Sequence, residues 1–456
     1  MRLLFSFLLI AWCLAAEPVD WIWSARYVIT MDAKRRVIEN GAVAVRGNRI
    51  VEVGTLAELN ARFRPKSRVN MPNGLIAPGL VNTHTHVPMS LFRGVADDMP
   101  LRKWLEKYIF PVEAKNLNPD FVRWGTRLAC LEMALSGTTT FAEMYYFEDV
   151  IAEATKEAGL RAVLGETILK FPAPDAKTPE DALAFTERFI KRFKDDPLIV
   201  PAPAPHAHYT NKDETLKAAR RMANRYGVPL MTHLAETRQE IEETRAKRGM
   251  SPVGVLDSLG VLDGRTLAAH CVWVDSEDMQ ILLKHRTGIA HCPSSNMMLA
   301  SGVAPVAKML SLGLAAGLGT DGPAGSNNDF NLFEEMDLAA KLQKVTTGDP
   351  AALPARQALE MATITGARAL GMEKQIGSLE AGKKADMITV RLDAPHAVPM
   401  YDVYSQMVYA LKGCDVSDVM VNGDLVVRSG RMLTLQAQPV LDMARKYGIQ
   451  VRKSLR

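Results

Sequence analysis

A chain of 456 residues is too long for one small core and calls for a large domain with a smaller companion. Its 48% hydrophobic and 23% charged residues are those of an ordinary globular protein. The formal net charge is only +4 and no block of Lys or Arg stands out, so nucleic acid is not an expected partner.

The first residues depart from that make-up. Arg2 precedes an apolar stretch over 3–14 that is too short to span a bilayer and runs into Ala15-Ala16. The pattern predicts a signal peptide over 1–16, export to the periplasm or medium, and no stable membrane insertion once the leader is removed. The cysteines do not bear on export. Cys13 would leave with the leader, and Cys130, Cys271, Cys292 and Cys414 show no paired spacing and read as buried thiols.

Residues 17–74 alternate in short segments, Trp21-Ile22-Trp23, Tyr27-Val28-Ile29, Ala42-Val43-Ala44-Val45 and Ile50-Val51-Glu52-Val53. Turn residues at Asn40-Gly41 and Gly47-Asn48 separate them, which predicts antiparallel hairpins. A matching set returns at 387–390 and 419–427. Neither end holds enough strands for a sheet alone, so 17–74 and 375–456 are expected to form one small β-sandwich from both termini, closed by a C-terminal helix.

The stretch between them, 75–374, changes rhythm. Helical segments at 121–136, 180–194, 214–226 and 276–284 alternate with apolar runs at 138–142, 162–164, 199–202, 228–231, 267–269, 288–290 and 315–318. With the run Leu75-Ile76-Ala77-Pro78 this makes eight strands, the pattern of a (β/α)8 barrel. An open doubly wound sheet would want a glycine-rich phosphate loop after its first strand, and none is present.

Barrel chemistry sits at the C-terminal ends of the strands. His84 and His86 stand two apart, so an extended chain aims both rings to one side. His206 and His208 follow the fourth strand, His233 ends the fifth, His270 the sixth and His291 the seventh. Seven of nine histidines at one rim are hard to explain as core filling, and Asp321 adds a carboxylate after the eighth strand. Three imidazoles and a carboxylate, with a position left for water, make a catalytic rather than a structural metal site. Glu236, three residues past His233, can place a carboxylate beside that water as a proton shuttle.

The motifs Gly79-Leu80-Val81-Asn82-Thr83-His84-Thr85-His86, His233-Leu234-Ala235-Glu236, Ala269-His270-Cys271, His291-Cys292-Pro293-Ser294-Ser295-Asn296 and Gly319-Thr320-Asp321-Gly322 occur in this order. In them the chain resembles the amidohydrolase superfamily, and within it the 5′-methylthioadenosine/S-adenosylhomocysteine deaminases. The resemblance implies one divalent metal, zinc above all, on His84, His86, His233 and Asp321. It makes Glu236 the proton carrier, His270 the group that positions the attacking hydroxide, and Asp321 the acceptor of its proton. The stretch 200–206 holds no lysine to bridge a second ion. The resemblance also places Glu113 on the ribose hydroxyls, Trp104 against the substrate and His206 facing the purine.

The implied reaction is hydrolytic deamination of an adenine nucleoside, a small-molecule substrate, by an enzyme that is expected to form a homo-oligomer. The alternatives are a guanine- or triazine-type hydrolase and an exported nucleoside binder without turnover. The resemblance puts arginines that grip an amino-acid carboxylate in the loop after the third strand; here that loop, 164–178, holds no arginine, and Glu166 stands near where one would be wanted. A neutral 5′ substituent is therefore the expected preference.

Overall fold

The computed structural model describes residues 16–455; the leader expected over 1–16 lies, but for Ala16, outside them. Among the described residues sixteen strands form, in order β1 (Glu17–Ile29), β2 (Val37–Arg46), β3 (Arg49–Thr55), β4 (Phe63–Pro78), β5 (Leu80–Thr85), β6 (Thr138–Tyr145), β7 (Arg161–Ile168) and β8 (Ile199–Pro205). They continue as β9 (Leu230–Leu234), β10 (Thr266–His270), β11 (Gly288–His291), β12 (Ala316–Leu318), β13 (Met387–Arg391), β14 (Val416–Val421), β15 (Asp424–Arg428) and β16 (Arg431–Met432).

The outer sheet has the order β16-β15-β14-β13-β4-β1-β2-β3, so both termini contribute, as expected. Its centre is β4, parallel to β1 and antiparallel to β13. The sheet curls until its far edge meets the chain entering β13, where Ile50 donates to the Lys383 carbonyl at 2.9 Å and Ala385 to that of Asn48 at 3.0 Å. Trp23, Val43 and Ile50 then share one core with Met387 and Met420.

Two details differ from the sequence reading. Asn40-Gly41 is no turn: β2 runs straight through it, with Asn40 at φ 47° and the ladder to β1 in the same register on either side. The run Leu75-Ile76-Ala77-Pro78 is not a barrel strand but the end of β4, paired with β13 from Leu75↔Val390 to Pro78↔Met387. The barrel starts two residues later, at Leu80.

Strands β5 to β8 and β9 to β12 form two four-stranded parallel sheets. They close on each other where His233 donates to the His206 carbonyl at 2.8 Å and Asp321 to that of His84 at 2.9 Å. The result is the expected eight-stranded barrel. Inside it, Val81, Ala142, Val163, Met231, Leu267, Ala269 and Ala290 pack on Ala367 and Leu370 of the chain segment that plugs the lower end. The buried pair Arg161–Asp386, with Nε–Oδ2 at 3.1 Å and Nη2–Oδ1 at 3.2 Å, ties β7 to the outer sheet.

The helices fall where periodicity put them, among them Pro119–Leu135, Pro179–Phe193, Asp213–Tyr226 and Ser276–Lys284. Ala437–Ser454 is the C-terminal helix. Cys130, Cys271 and Cys292 are buried, but Cys414 is exposed on a turn before β14, against expectation. No helix among the described residues is long and apolar enough to cross a membrane.

Candidate active site

Strand β5 turns His84 and His86 into the barrel mouth. Gly319 lets the chain leaving β12 pass close by, since a Cβ there would stand 2.9 Å from the His84 backbone nitrogen. That approach delivers Asp321, whose Oδ1 lies 3.3 Å from Nε2 of His84 and 3.3 Å from Nε2 of His86. Donors held at 2.0–2.1 Å around a tetrahedral ion are separated by about 3.4 Å, the same spacing.

His84, His86 and Asp321 can each turn a donor atom to one point, and so can His84, His233 and His270. Buried Nε2 of His84 has no hydrogen-bond partner. Nδ1 of His86 lies 2.5 Å from the Met144 carbonyl and Nδ1 of His233 lies 2.9 Å from that of His206. A carbonyl only accepts, so both rings carry a proton on Nδ1, which leaves Nε2, turned to the centre, as the atom that can bind an ion. Burial lowers the His84 pKa to about 4 and that of His233 well below its ordinary value, which keeps both rings neutral. Burial opposes ionisation of Asp321, yet the imidazoles of His84 and His86 beside it hold its carboxyl well below the usual range. These donors fit one small divalent ion.

Three residues at the site have left-handed backbone, Ala235 at φ 53°, His270 at φ 73° and Asp321 at φ 64°. Ala269 already faces the barrel interior, so plain alternation would turn His270 outwards. The positive φ reverses that and swings the ring inwards, where Asn296 Oδ1 accepts from Nδ1 at 3.1 Å. Nε2 of His270 then stands 3.9 Å from Glu236 Oε2 and 4.0 Å from Asp321 Oδ2. Asp321 Oδ2 also accepts from the Ser295 hydroxyl at 2.6 Å. The turn at Ala235 is held by Glu240, which accepts from the amides of Ala235 at 3.1 Å and Glu236 at 2.8 Å. Burial raises the Glu236 pKa, which favours a carboxyl that carries a proton.

Above these groups lies a cavity that opens to solvent, with about 570 Å³ of empty space including its mouth, lined by His86, Trp104, Glu113, His206, His233, Glu236, His270 and Asp321, with an apolar side of Leu101, Leu105, Ile109 and Phe110. Every substrate-contact residue expected from the sequence is therefore at the cavity. Trp104 has its Nε1–H anchored on the Ala324 carbonyl at 2.8 Å, so its position is tied to the loop after β12. Tyr145 donates to Glu113 Oε1 at 2.5 Å. Burial lowers the His206 pKa to about 3, leaving a neutral ring.

Three expected features are not brought to the cavity. His291 follows the inward-facing Ala290 and so points outwards, buried with neither ring nitrogen bonded. His208 faces the helix Arg238–Arg248, where Nε2 meets Thr244 Oγ1 at 2.8 Å. Glu166 is fully buried and approaches the amide of Glu148 at 3.3 Å, while the next residue, Thr167, reaches the cavity instead. Ser295, Asn296, Glu240 and Tyr145 are members of the site that the sequence reading passed over, though the first two lie inside a motif it singled out.

Residues 75–426 match the amidohydrolase family, and 41–64 match an imidazolonepropionase-like composite domain of bacteria. The chain is 46% identical over 436 residues to a 5-methylthioadenosine/S-adenosylhomocysteine deaminase of Thermodesulfovibrio yellowstonii, covering 95% of this chain and 99% of that one. It is 43% identical over 428 residues to a 5′-deoxyadenosine deaminase of Methanosarcina acetivorans, covering 93% and 97%. Among solved structures it superposes on an adenosine deaminase from Xanthomonas campestris with bound zinc, at a TM-score of 0.94, 38% identity and coverage of 96% and 100%. An atrazine chlorohydrolase from Arthrobacter aurescens TC1 with zinc follows at 0.86, 25% identity and coverage of 94% and 100%. With a barrel, a rim of histidines and a family match over most of its length, the chain belongs to the amidohydrolase family.

Proposed function

We propose that the protein is a zinc-dependent hydrolytic deaminase of adenine nucleosides, replacing the 6-amino group of the purine by oxygen and releasing ammonia. The observation that carries this reading is the meeting of His84, His86, His233 and Asp321 with the carboxyl of Glu236 on the floor of one cavity whose wall holds Glu113. Deaminase names among the relatives support the same chemistry.

His84, His86, His233 and Asp321 would hold the ion, which acidifies water and so supplies a nucleophile at neutral pH. Glu236 carries a proton to the ring nitrogen beside the attacked carbon, which opens that carbon to attack. His270 orients the attacking oxygen, and Asp321 Oδ2 takes its proton. The amino group takes that proton from Asp321 and leaves as ammonia; the carbon–oxygen double bond replaces the carbon–nitrogen bond, and the other proton of the water, passed through Glu236, stays on the ring nitrogen. Glu113 accepts from the ribose hydroxyls, Trp104 packs on the nucleoside and neutral His206 faces the purine.

A neutral 5′ substituent suits this cavity, because no Lys or Arg is among its lining residues. Two cations adjoining lining residues are engaged elsewhere: Lys170 donates to the carbonyl of Tyr209 at 2.7 Å, and Arg102, next to Leu101, pairs with Glu243 at 3.2 Å. Export by a cleaved leader and assembly into a homo-oligomer belong to the same proposal; mass spectrometry of the mature N-terminus and light scattering test them. The activity itself is tested by incubating the zinc-loaded protein with adenosine, 5′-deoxyadenosine and 5′-methylthioadenosine. Loss of adenine absorbance with stoichiometric ammonia is expected. Turnover of guanine or chlorotriazines alone, or binding with no turnover, would overturn the reading.

A further inference from the structure

We infer that Glu335, on the helix Leu332–Thr347, is the positioning residue that sets His270 and Asp321 for proton handling. The inference rests on the deaminase reading above. Glu335 is fully buried and lies outside the substrate cavity, yet its two carboxylate oxygens reach two different rim loops. Oε2 accepts from the Ser294 amide at 3.1 Å, in the rim segment after β11, which winds into the short helix Pro293–Met298. Oε1 accepts from the Asn327 side-chain amide at 3.1 Å, in the loop after β12.

What hangs on those loops gives the contact its consequence. The two side chains after Ser294 are Ser295, which donates to Asp321 Oδ2 at 2.6 Å, and Asn296, which accepts from His270 Nδ1 at 3.1 Å. Asn327 also donates to the carbonyl of Thr320 at 2.9 Å, one residue before Asp321. One carboxylate thus holds together the segment that orients both proton-handling side chains and the segment that carries one of them. Asp321 Oδ1 faces His84 and His86, so the Ser295 bond to Oδ2 decides how the free oxygen of that carboxylate points.

An apolar contact could dock this helix on the barrel just as well. Among the described residues no Lys, Arg or His lies within ion-pair distance of Glu335, and burial pushes its carboxyl up to about 8. A buried carboxyl is unfavourable without bonded partners, and here its partners are the two loops. Replacement by Gln keeps the shape and one acceptor oxygen, but it turns an NH2 group towards one of the two donors and so releases one loop.

The test uses zinc-loaded wild type, Glu335→Gln, Ser295→Ala and the double variant, with rates normalised to bound zinc. Outer partners of metal-site residues are typically worth about 10–100-fold. We expect Glu335→Gln to lower kcat by about that factor, with zinc retained, KM changed less than kcat and the kcat–pH profile displaced. If Glu335 acts through Ser295, the double variant loses no more than the worse single, because coupled residues are not additive. Asn327→Ala, which removes the second clamp together with its bond to the Thr320 carbonyl and leaves the Ser294 clamp in place, should displace the profile in the same direction and guards against misfolding of Glu335→Gln. Unchanged kcat and pH profile in Glu335→Gln, or losses that multiply in the double variant, would overturn the inference while leaving the deaminase reading intact. A wild type that deaminates no nucleoside overturns both.

Discussion

The hydroxyl of Tyr145 donates to Oε1 of Glu113 at 2.5 Å, where both side chains are buried at the cavity wall. Burial raises the Glu113 pKa to about 7, and the bond from Tyr145 opposes that rise by favouring the charged form. Only the ionised carboxylate accepts from two ribose hydroxyls, so KM for the nucleoside should fall as pH rises from 6 to 8. Tyr145→Phe removes the opposing bond and should move that fall to higher pH. Glu113→Gln should raise KM by roughly tenfold or more, the scale of a lost bond to a charged group, and flatten its pH dependence. A wild-type KM independent of pH would contradict the assignment.

Replacing His233 by Ala should remove zinc and activity together, because its Nε2 is one of the converging donors. Elemental analysis is expected to give one zinc per wild-type chain and substantially less in the variant. Chelation should lower the thermal midpoint of the wild type as well, since an ion bound only by the native state stabilises it. Two equivalents per chain would refute the single-ion site.

Glu240 accepts from the amides of Ala235 and Glu236, and the Glu236 carboxyl comes no closer than 3.9 Å to His270. Glu236→Gln should therefore keep zinc and substrate affinity while kcat falls by about 10²–10⁴, the usual worth of a general acid–base step. Wild-type turnover in that variant would remove Glu236 from the mechanism.

With no Lys or Arg among the described residues that line the cavity, kcat/KM for 5′-methylthioadenosine should exceed that for S-adenosylhomocysteine. Losing one charge-assisted pair is worth roughly 1.5–3 kcal/mol, so the ratio should be about tenfold or more. Competition between the two nucleosides in one reaction measures it, and parity would show that a cation reaches the amino-acid tail.

Glu166 gives a stability prediction. Burial raises its carboxyl pKa, and the neighbouring acids Asp175 and Glu148 raise it further. The folded state keeps a proton that the unfolded chain loses above the ordinary carboxylate pKa of about 4.3. This group therefore stabilises the fold less and less as pH climbs from there towards its raised folded value. Glu166→Gln should gain in urea midpoint relative to wild type between pH 5 and pH 8. A difference that shrinks over that range would contradict the shift.

The metal centre was legible because its chemistry restricts residue choice: few side chains ligate, and His84-x-His86, His233 and Asp321 stand at strand ends. The barrel was legible through its alternation of apolar runs and helices. Orientation was not. Glu166 and His291 were misplaced by alternation, one residue out from the inward-facing Thr167 and Ala290. Ser295, Asn296 and Glu240 are common residue types whose partners are chosen by loop paths and by positive φ at Ala235, His270 and Asp321. Such backbone detail leaves little trace in composition or periodicity.

Strand β4 has a consequence for synthesis. Its outer neighbour β13 leaves the ribosome roughly 300 residues after it, about 15–60 s later at ordinary elongation rates. Until then the edge at Leu75–Pro78 and the apolar face of β1 and β2 await their partners, so a nascent chain exposes a sticky half-sheet for most of its translation. Truncation before Met387 should leave that edge open for good and yield aggregates, even though every ligand of the proposed zinc site would be present.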